Sequence, residues 1–422
     1  MTAFGAWQPP PRPDWVAGVI AEGETMDAAG VVPLDSESLI ATARRNTGLR
    51  DFGADEWREP FEVFVASLER DADLHLLGRL LARAEILNLL EVRLQVEHEF
   101  ASAPEIADEV ITKPVIIMGQ GRSGTSALQN LIAADPRFRT LTTWETMYPV
   151  PPPTPEMYRD NPRIAKADRF IHSWARATPE LLAMHEYGGA IPQECCKAHA
   201  LTFRSEAWLG VIGQALGYST WLATRGSEVM VPAYRYQKRV MQLLQWRNPR
   251  EHWVLKSPIH LDFLPQALEV FPDACFVWTH RDPVKAFASV VSLIGTAQWG
   301  RCNEPFKGAS YSFVTNLGFA AKRLEQVIDW TERAEVPPER ICHVQYPDLV
   351  RSPLDVVADV YAHFGIDLPD VARSEMAGYL ERNPRSARPT HHYVLDEAGE
   401  DAAAARAAFA RYQKHFDVPS ET

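Results

Sequence analysis

Cysteine is sparse. The five, Cys195, Cys196, Cys275, Cys302 and Cys342, are odd in number and have neither the density of a disulfide scaffold nor the spacing of a metal site. Such usage fits a chain kept in a reducing cytoplasm. Long apolar runs are missing too: none approaches the roughly 20 residues that span a bilayer. The opening MTAFGAWQPPPRPDW has neither the basic start nor the apolar stretch of a secretory signal. These absences exclude a transmembrane segment and leave peripheral contact with a membrane surface open. Positive charge is in deficit, with 43 Lys and Arg against 55 Asp and Glu and a formal net charge of −12. That balance opposes tight binding to a polyanion and argues against nucleic acid as a partner. There is no HExxH, no His/Cys cluster at ligand spacing and no Walker B acid after a strand, so no metal is expected. Internal repeats are absent, and nothing in the sequence sets an oligomeric state.

What is present is core-forming material. At 46% apolar and 10% aromatic content, 422 residues can bury one large core or two smaller ones. Residues 1–34, rich in Pro, Gly and acids, read as an irregular arm. Residues 35–110 carry Leu, Ile and Val at threes and fours, the period of packed helices. At Pro114 the pattern switches to PVIIMG, a wholly apolar run suited to a buried parallel strand, and HWVLK, ACFVWTH and ICHVQY repeat the signal later. Strands alternating with helical stretches predict an α/β domain over 111–395, a central parallel sheet flanked by helices. A mostly helical insertion covers 149–250, and a helical tail follows over 396–422.

The first strand leads into GQGRSGTS, residues 119–126, and then into the helical pattern ALQNLIAAD. Small residues at a strand-to-helix turn let backbone N–H groups converge on one point, a P-loop-like anion site. Against the pattern GxxxxGK(S/T), Gly119, Gly124 and Ser126 fit, but Thr125 stands where the phosphate-bridging lysine belongs. A P-loop nucleotide kinase or NTPase would lack its central cation here.

GRSGTSAL resembles the 5′-phosphosulfate loop of sulfotransferases that use 3′-phosphoadenosine 5′-phosphosulfate (PAPS), in which Lys or Arg precedes Ser-Gly-Thr. WTHRDPVKAFASVVSL resembles the same family's 3′-phosphate element, an Arg at a strand end and a Ser eight positions on, here Arg281 and Ser289. Two such motifs in order, about 160 residues apart, seldom arise together by chance. WETMYPVPPP, MHEYGGAIPQECC, WVLKSPIHLDFLPQ and FPDACFVWTHRDP extend the likeness to a bacterial, largely actinobacterial and mycobacterial-type branch, over roughly 35–395. Branch members usually carry Pro where this loop has Gly121.

The resemblance implies a sulfuryl transfer from PAPS to an acceptor hydroxyl, with adenosine 3′,5′-bisphosphate as product. Gly121, Arg122, Ser123, Gly124, Thr125 and Ser126 would hold the 5′ end, and Arg281 and Ser289 would read the 3′-phosphate by charge-assisted hydrogen bonds. Tyr346 would lie by the nucleoside, with His391 and Tyr393 near its 3′ end. Arg122 and Lys256 would meet the negative charge that grows on the bridging oxygen as the S–O bond breaks. Three residues compete for the base. In the family's cytosolic branch a His lies two positions after a Lys, but LKSPIH puts Pro258 there and His260 two further on. Glu145 takes the place of the Glu used by the glycan-modifying branch, and His185 is the third candidate. The insertion's aromatics, Tyr187, Phe203, Trp208, Tyr218, Trp221, Tyr234 and Tyr236, either line an apolar pocket for a lipid, polyketide or aromatic alcohol or belong to the core. A catalytically silent nucleotide-binding protein on the same fold is the remaining alternative.

Overall fold

A computed structural model describes residues 8–305, 316–384 and 401–421. Five parallel strands form one sheet: β1 (Val115–Gly119), β2 (Phe138–Arg139), β3 (His252–Lys256), β4 (Cys275–His280) and β5 (Ile341–Gln345), in the spatial order β2-β3-β1-β4-β5. The four apolar runs expected as strands are β1, β3, β4 and β5. β2 escapes a sequence reading because it is only two residues long and pairs β3 through Phe138 with His252 and Arg139 with Trp253.

Along β1 the side chains alternate between two cores. Ile116 and Met118 join Leu255, Phe276 and Trp278 under the helical layer. Val115 and Ile117 join Val254 and Val277 on the other face, against Leu128, Leu131, Val357 and Tyr361. Burial on both faces is what makes these strands read as continuous apolar runs.

The helical layer is anchored by a 27-residue helix, Leu76–Ser102. His75 caps it, its Nδ1 accepting the Gly78 N–H at 3.0 Å. Gly78 is required by close approach, since a Cβ there would fall 1.9 Å from the Arg301 carbonyl oxygen. The residues expected as an irregular arm are partly helical. Asp14–Glu24 follows Pro13 with Asp14 in its first turn, where an acid complements the helix dipole. Val16 and Ile20 pack on Ala177 and Leu77, a tertiary contact that overrides the Pro-rich start. Among the described residues, no helix is long and apolar enough to cross a membrane.

Ile117 is fully buried at the centre of the sheet. Ile117→Ala should therefore cost about 2–5 kcal/mol, the range for emptying a packed core position. Urea titration followed by tryptophan fluorescence measures the loss.

Candidate active site

Chain order sends the polypeptide from β1 to one side of the sheet, to β2 and β3, and then to the other, to β4 and β5. Open parallel sheets bind ligands at the carboxyl ends of the strands beside such a reversal. Residues just beyond β1 (Gln120, Gly121, Arg122), β3 (Pro258, Ile259), β4 (Arg281) and β5 (Tyr346) all line a single cavity of about 1230 Å³.

The loop after β1 is held by its own side chains. Ser123 donates to the Gln120 carbonyl at 2.6 Å and shares a 2.7 Å hydrogen bond with Thr279. Gly124 has a left-handed φ of +92°, and a Cβ there would approach the Tyr346 ring to 3.0 Å, so glycine is needed twice over. The helix Thr125–Ile132 then starts against the cavity, with Thr125 and Ser126 in its wall, and its N-terminal dipole favours an anion there. Arg122, itself left-handed at φ 72°, lines the cavity and donates from Nη1 to the Met184 carbonyl at 2.5 Å.

Arg281 joins three elements. Its Nη1 donates to the Arg122 carbonyl at 2.8 Å, its guanidinium lies 4.4 Å from the Tyr346 ring centroid, and its Nε and Nη2 grip both oxygens of Glu421 at 2.7 and 2.8 Å. Opposite the loop stands Glu194. Gln193 donates its N–H to the Leu141 carbonyl at 2.7 Å and Thr143 donates to Ile191 at 3.0 Å, which pins the segment that carries Glu194 beside residues 141–143. Lys256 Nζ donates to Glu194 Oε1 at 2.6 Å, and Ser257 Oγ donates to Oε2 at 3.2 Å. Burial pushes the Glu194 carboxyl up. The charge and hydrogen bond of Lys256, with His185 and Ser257, outweigh it and leave the group below the usual carboxylate range. His185 also lines the cavity. A carbonyl can only accept, so its Nδ1 donates to the Glu186 oxygen at 2.7 Å. Burial, then the charge of Lys256, holds this ring below its ordinary value.

Elsewhere the wall combines apolar side chains, among them Leu81, Trp174, Leu181, Trp208, Phe287 and Ile294, with the charged Glu206, Asp262, Arg301, Lys322 and Arg323. The residues at the polar end fit the donor named by the sequence motifs: an anion-favouring helix start, Arg122, Arg281 and the Tyr346 ring line the same cavity.

The match to a model of the sulfotransferase family over residues 114–370 decides the relationship. The chain belongs to the sulfotransferase family. Its fold matches that of sulfotransferase STF1 from Mycobacterium tuberculosis H37Rv with a TM-score of 0.76 at 29% identity, covering 89% of this chain and 98% of that one. STF9 from Mycobacterium avium gives 0.76 at 27% identity, covering 92% and 98%. The omega-hydroxy-beta-dihydromenaquinone-9 sulfotransferases Stf3 of Mycobacterium bovis and Mycobacterium tuberculosis are 26% identical over 62% of this chain, which spans 65% of their length.

Within this family framework, some expected positions meet at the cavity and others do not. Gly121, Arg122, Gly124, Thr125, Ser126, His185, Arg281 and Tyr346 line it. Ser123 braces the loop from behind, nearly inaccessible, and its hydroxyl is spent on Gln120 and Thr279. Ser289 is fully buried, its hydroxyl has no partner among the described residues, and it lies outside the cavity lining. Lys256 is not in the cavity lining; its ammonium is bound to Glu194, which is. His391 and Tyr393 lie outside the described residues. His260 is a core residue, its Nδ1 2.9 Å from the Tyr234 hydroxyl, and burial followed by His199 and Lys256 pushes its pKa well down.

Glu145 is turned inward. It forms a capping box with Thr142, accepting the Thr142 N–H at 3.0 Å and its hydroxyl at 2.7 Å, and it binds the buried Arg139 and the Tyr158 hydroxyl. The same capping geometry that favours an acid three residues into a helix accounts for its place in the sequence. Glu194, which does face the cavity, was missed because its link to Lys256 spans 62 positions and leaves no local spacing to read. Of the insertion's aromatics, Tyr187 and Trp208 line the cavity, whereas Phe203, Tyr218, Tyr234 and Tyr236 are buried in the core and Trp221 packs on its edge. Glu145→Ala should cost about 3–5 kcal/mol, because it strands the buried charge of Arg139. Turnover per folded molecule should stay near wild type, checked by urea titration beside an assay of the folded fraction.

Proposed function

We propose that this chain transfers a sulfuryl group from PAPS to the hydroxyl of a small, apolar acceptor in the cytoplasm, with Glu194 as the base. The observation that carries the reading is one cavity lined by an anion-favouring loop, Arg122, Arg281 and Glu194, and further along by large apolar side chains interspersed with charged ones. PAPS supplies the sulfuryl group on a leaving phosphate. Arg281 would hold the 3′-phosphate, and Tyr346 would stack by the nucleoside. Thr125, Ser126 and the helix start would hold the 5′ end, and Arg122 and Lys256 would oppose charge growing on the bridging oxygen. Glu194 takes the proton as the acceptor oxygen bonds to sulfur and the S–O bond to the leaving phosphate breaks.

Trp174, Trp208, Leu181 and Phe287 favour an acceptor with a lipid-like body, since burying apolar surface contributes roughly 25 cal/mol per Å². The relatives named for omega-hydroxy-beta-dihydromenaquinone-9 point the same way. Five buried cysteines outside any disulfide support a reducing compartment.

Incubation with labelled PAPS and a lipid extract of the source organism tests the reading directly: label should pass to an apolar product. Absence of transfer to any acceptor, with the nucleotide still bound, would leave a silent binding protein. Glu194→Gln should lower turnover about a hundredfold, as expected for a positioned base, with little change in donor affinity. Because the Glu194 carboxyl is held low, and a base is lost only as pH falls through its pKa, kcat should stay level from neutral pH into the usual carboxylate range. An acid limb above the usual carboxylate range would move the role to His185. Activity should persist in EDTA, since Arg122 and Lys256 supply the positive charge; loss restored by magnesium would favour the NTPase reading.

A further inference from the structure

The fork of Arg281 is engaged by a carboxylate of its own chain. Glu421 meets Nε and Nη2 with two parallel hydrogen bonds of 2.7 and 2.8 Å, the side-on geometry with which arginine grips a phosphate. Nη1 is committed to the Arg122 carbonyl and the guanidinium face to Tyr346. An oxyanion approaching the Nε and Nη2 edge must therefore replace Glu421.

The segment that delivers Glu421 is built into the sheet end. The helices Ala402–Ala408 and Ala410–His415 pack on the helix Leu317–Glu332, beside β4 and β5. Arg406 binds both oxygens of Asp282, the residue next to Arg281, at 2.6 and 2.7 Å, and the Glu421 N–H donates to the same carboxylate at 2.7 Å. Tyr412 and Phe416 pack on Trp278 and His280, and the Tyr412 hydroxyl is 2.9 Å from His280 Nδ1. Glu421 thus sits beyond a firmly docked helical pair, on a short connection whose last ties are Arg281 and Asp282. Such a segment can let go of Arg281 without unseating the aromatics.

We propose that residues 419–421, beyond the buried Val418, form a strap whose Glu421 carboxylate stands in for the donor's 3′-phosphate and competes with it for Arg281. The proposal rests on the assignment of Arg281 to that phosphate. The strap keeps the guanidinium neutralised and oriented while no donor is bound. Donor binding then exchanges a monoanion for a phosphate of higher charge. A nucleotide without a 3′-phosphate binds without displacing the strap, so the contact lowers the affinity of the 3′-phosphorylated nucleotide alone and narrows its margin over the unphosphorylated one.

Calorimetry on the full chain tests this with adenosine 3′,5′-bisphosphate and 5′-AMP as probes, on wild type, Glu421→Gln, Glu421→Ala and Arg281→Ala. Removing a partly exposed competitor should tighten the bisphosphate about fivefold in both Glu421 variants, while 5′-AMP is unchanged. In wild type, the bisphosphate should speed amide exchange at Ser420 and Glu421 and leave 410–418 protected. If Arg281→Ala keeps the preference for the bisphosphate, the phosphate assignment itself falls and the strap with it. If Arg281→Ala abolishes the preference but neither Glu421 variant tightens binding, the assignment stands and the competition is overturned. Weaker bisphosphate binding in the Glu421 variants would also overturn it, making Glu421 a support for Arg281.

Discussion

The parallel pairing of β1 with β3 on one side and β4 on the other is the constraint on which the rest of the molecule depends. It aligns Ile117 with Lys256 and Gly119 with Thr279, so three loops leave one edge of the sheet within reach of each other. The loop after β1 is tied across that edge by Ser123 and Thr279, and Arg281 reaches back to the Arg122 carbonyl. A register slip of one residue would exchange the two faces of β1 and separate the cations at the same time. The two buried cores that flank β1 are therefore also what positions the site.

Charge is distributed with equal economy. The chain is acidic as a whole, yet Arg122 and Arg281 line the cavity and Lys256 stands behind Glu194, which lines it too. Each is held by an acceptor from the protein: Met184 for Arg122, Glu194 for Lys256, Glu421 for Arg281. A buried cation without such a partner would be costly. The site is thus built as a set of ion pairs and charge-assisted bonds that a polyanionic ligand can reorganise, rather than as bare positive charge.

How much of this was legible in the sequence follows from how local each signal is. β1, β3, β4 and β5 are legible because full burial on both faces turns each strand into an unbroken apolar run. GRSGTS and Arg281 are legible because a phosphate loop needs small residues in immediate succession and a cation at a strand end. Glu194 is not, because what makes it chemical is a contact with Lys256 from another part of the chain. Glu145 drew attention through position alone, and the Thr142 capping box explains why an acid stands there without any catalytic demand. The helix Asp14–Glu24 was hidden by its Pro-rich approach, and its docking on Ala177 and Leu77, a tertiary contact, helps to stabilise it.

The pairing of Glu194 with Lys256 constrains the proposed chemistry further. A carboxylate held below its usual range is a weak base, and an alcohol does not surrender its proton to it in the ground state. Proton transfer must then come late, as the acceptor oxygen is already bonding to sulfur and its acidity rises. Lys256 has only one ammonium to offer. To the extent that the leaving oxygen draws it away from Glu194, the carboxylate loses the partner that holds it low while burial continues to push it up. The base thereby strengthens in step with departure of the leaving group. One lysine would serve both ends of the reaction, which is an economical reason for its ammonium to be nearly sealed from solvent behind Glu194 and not displayed on the cavity wall.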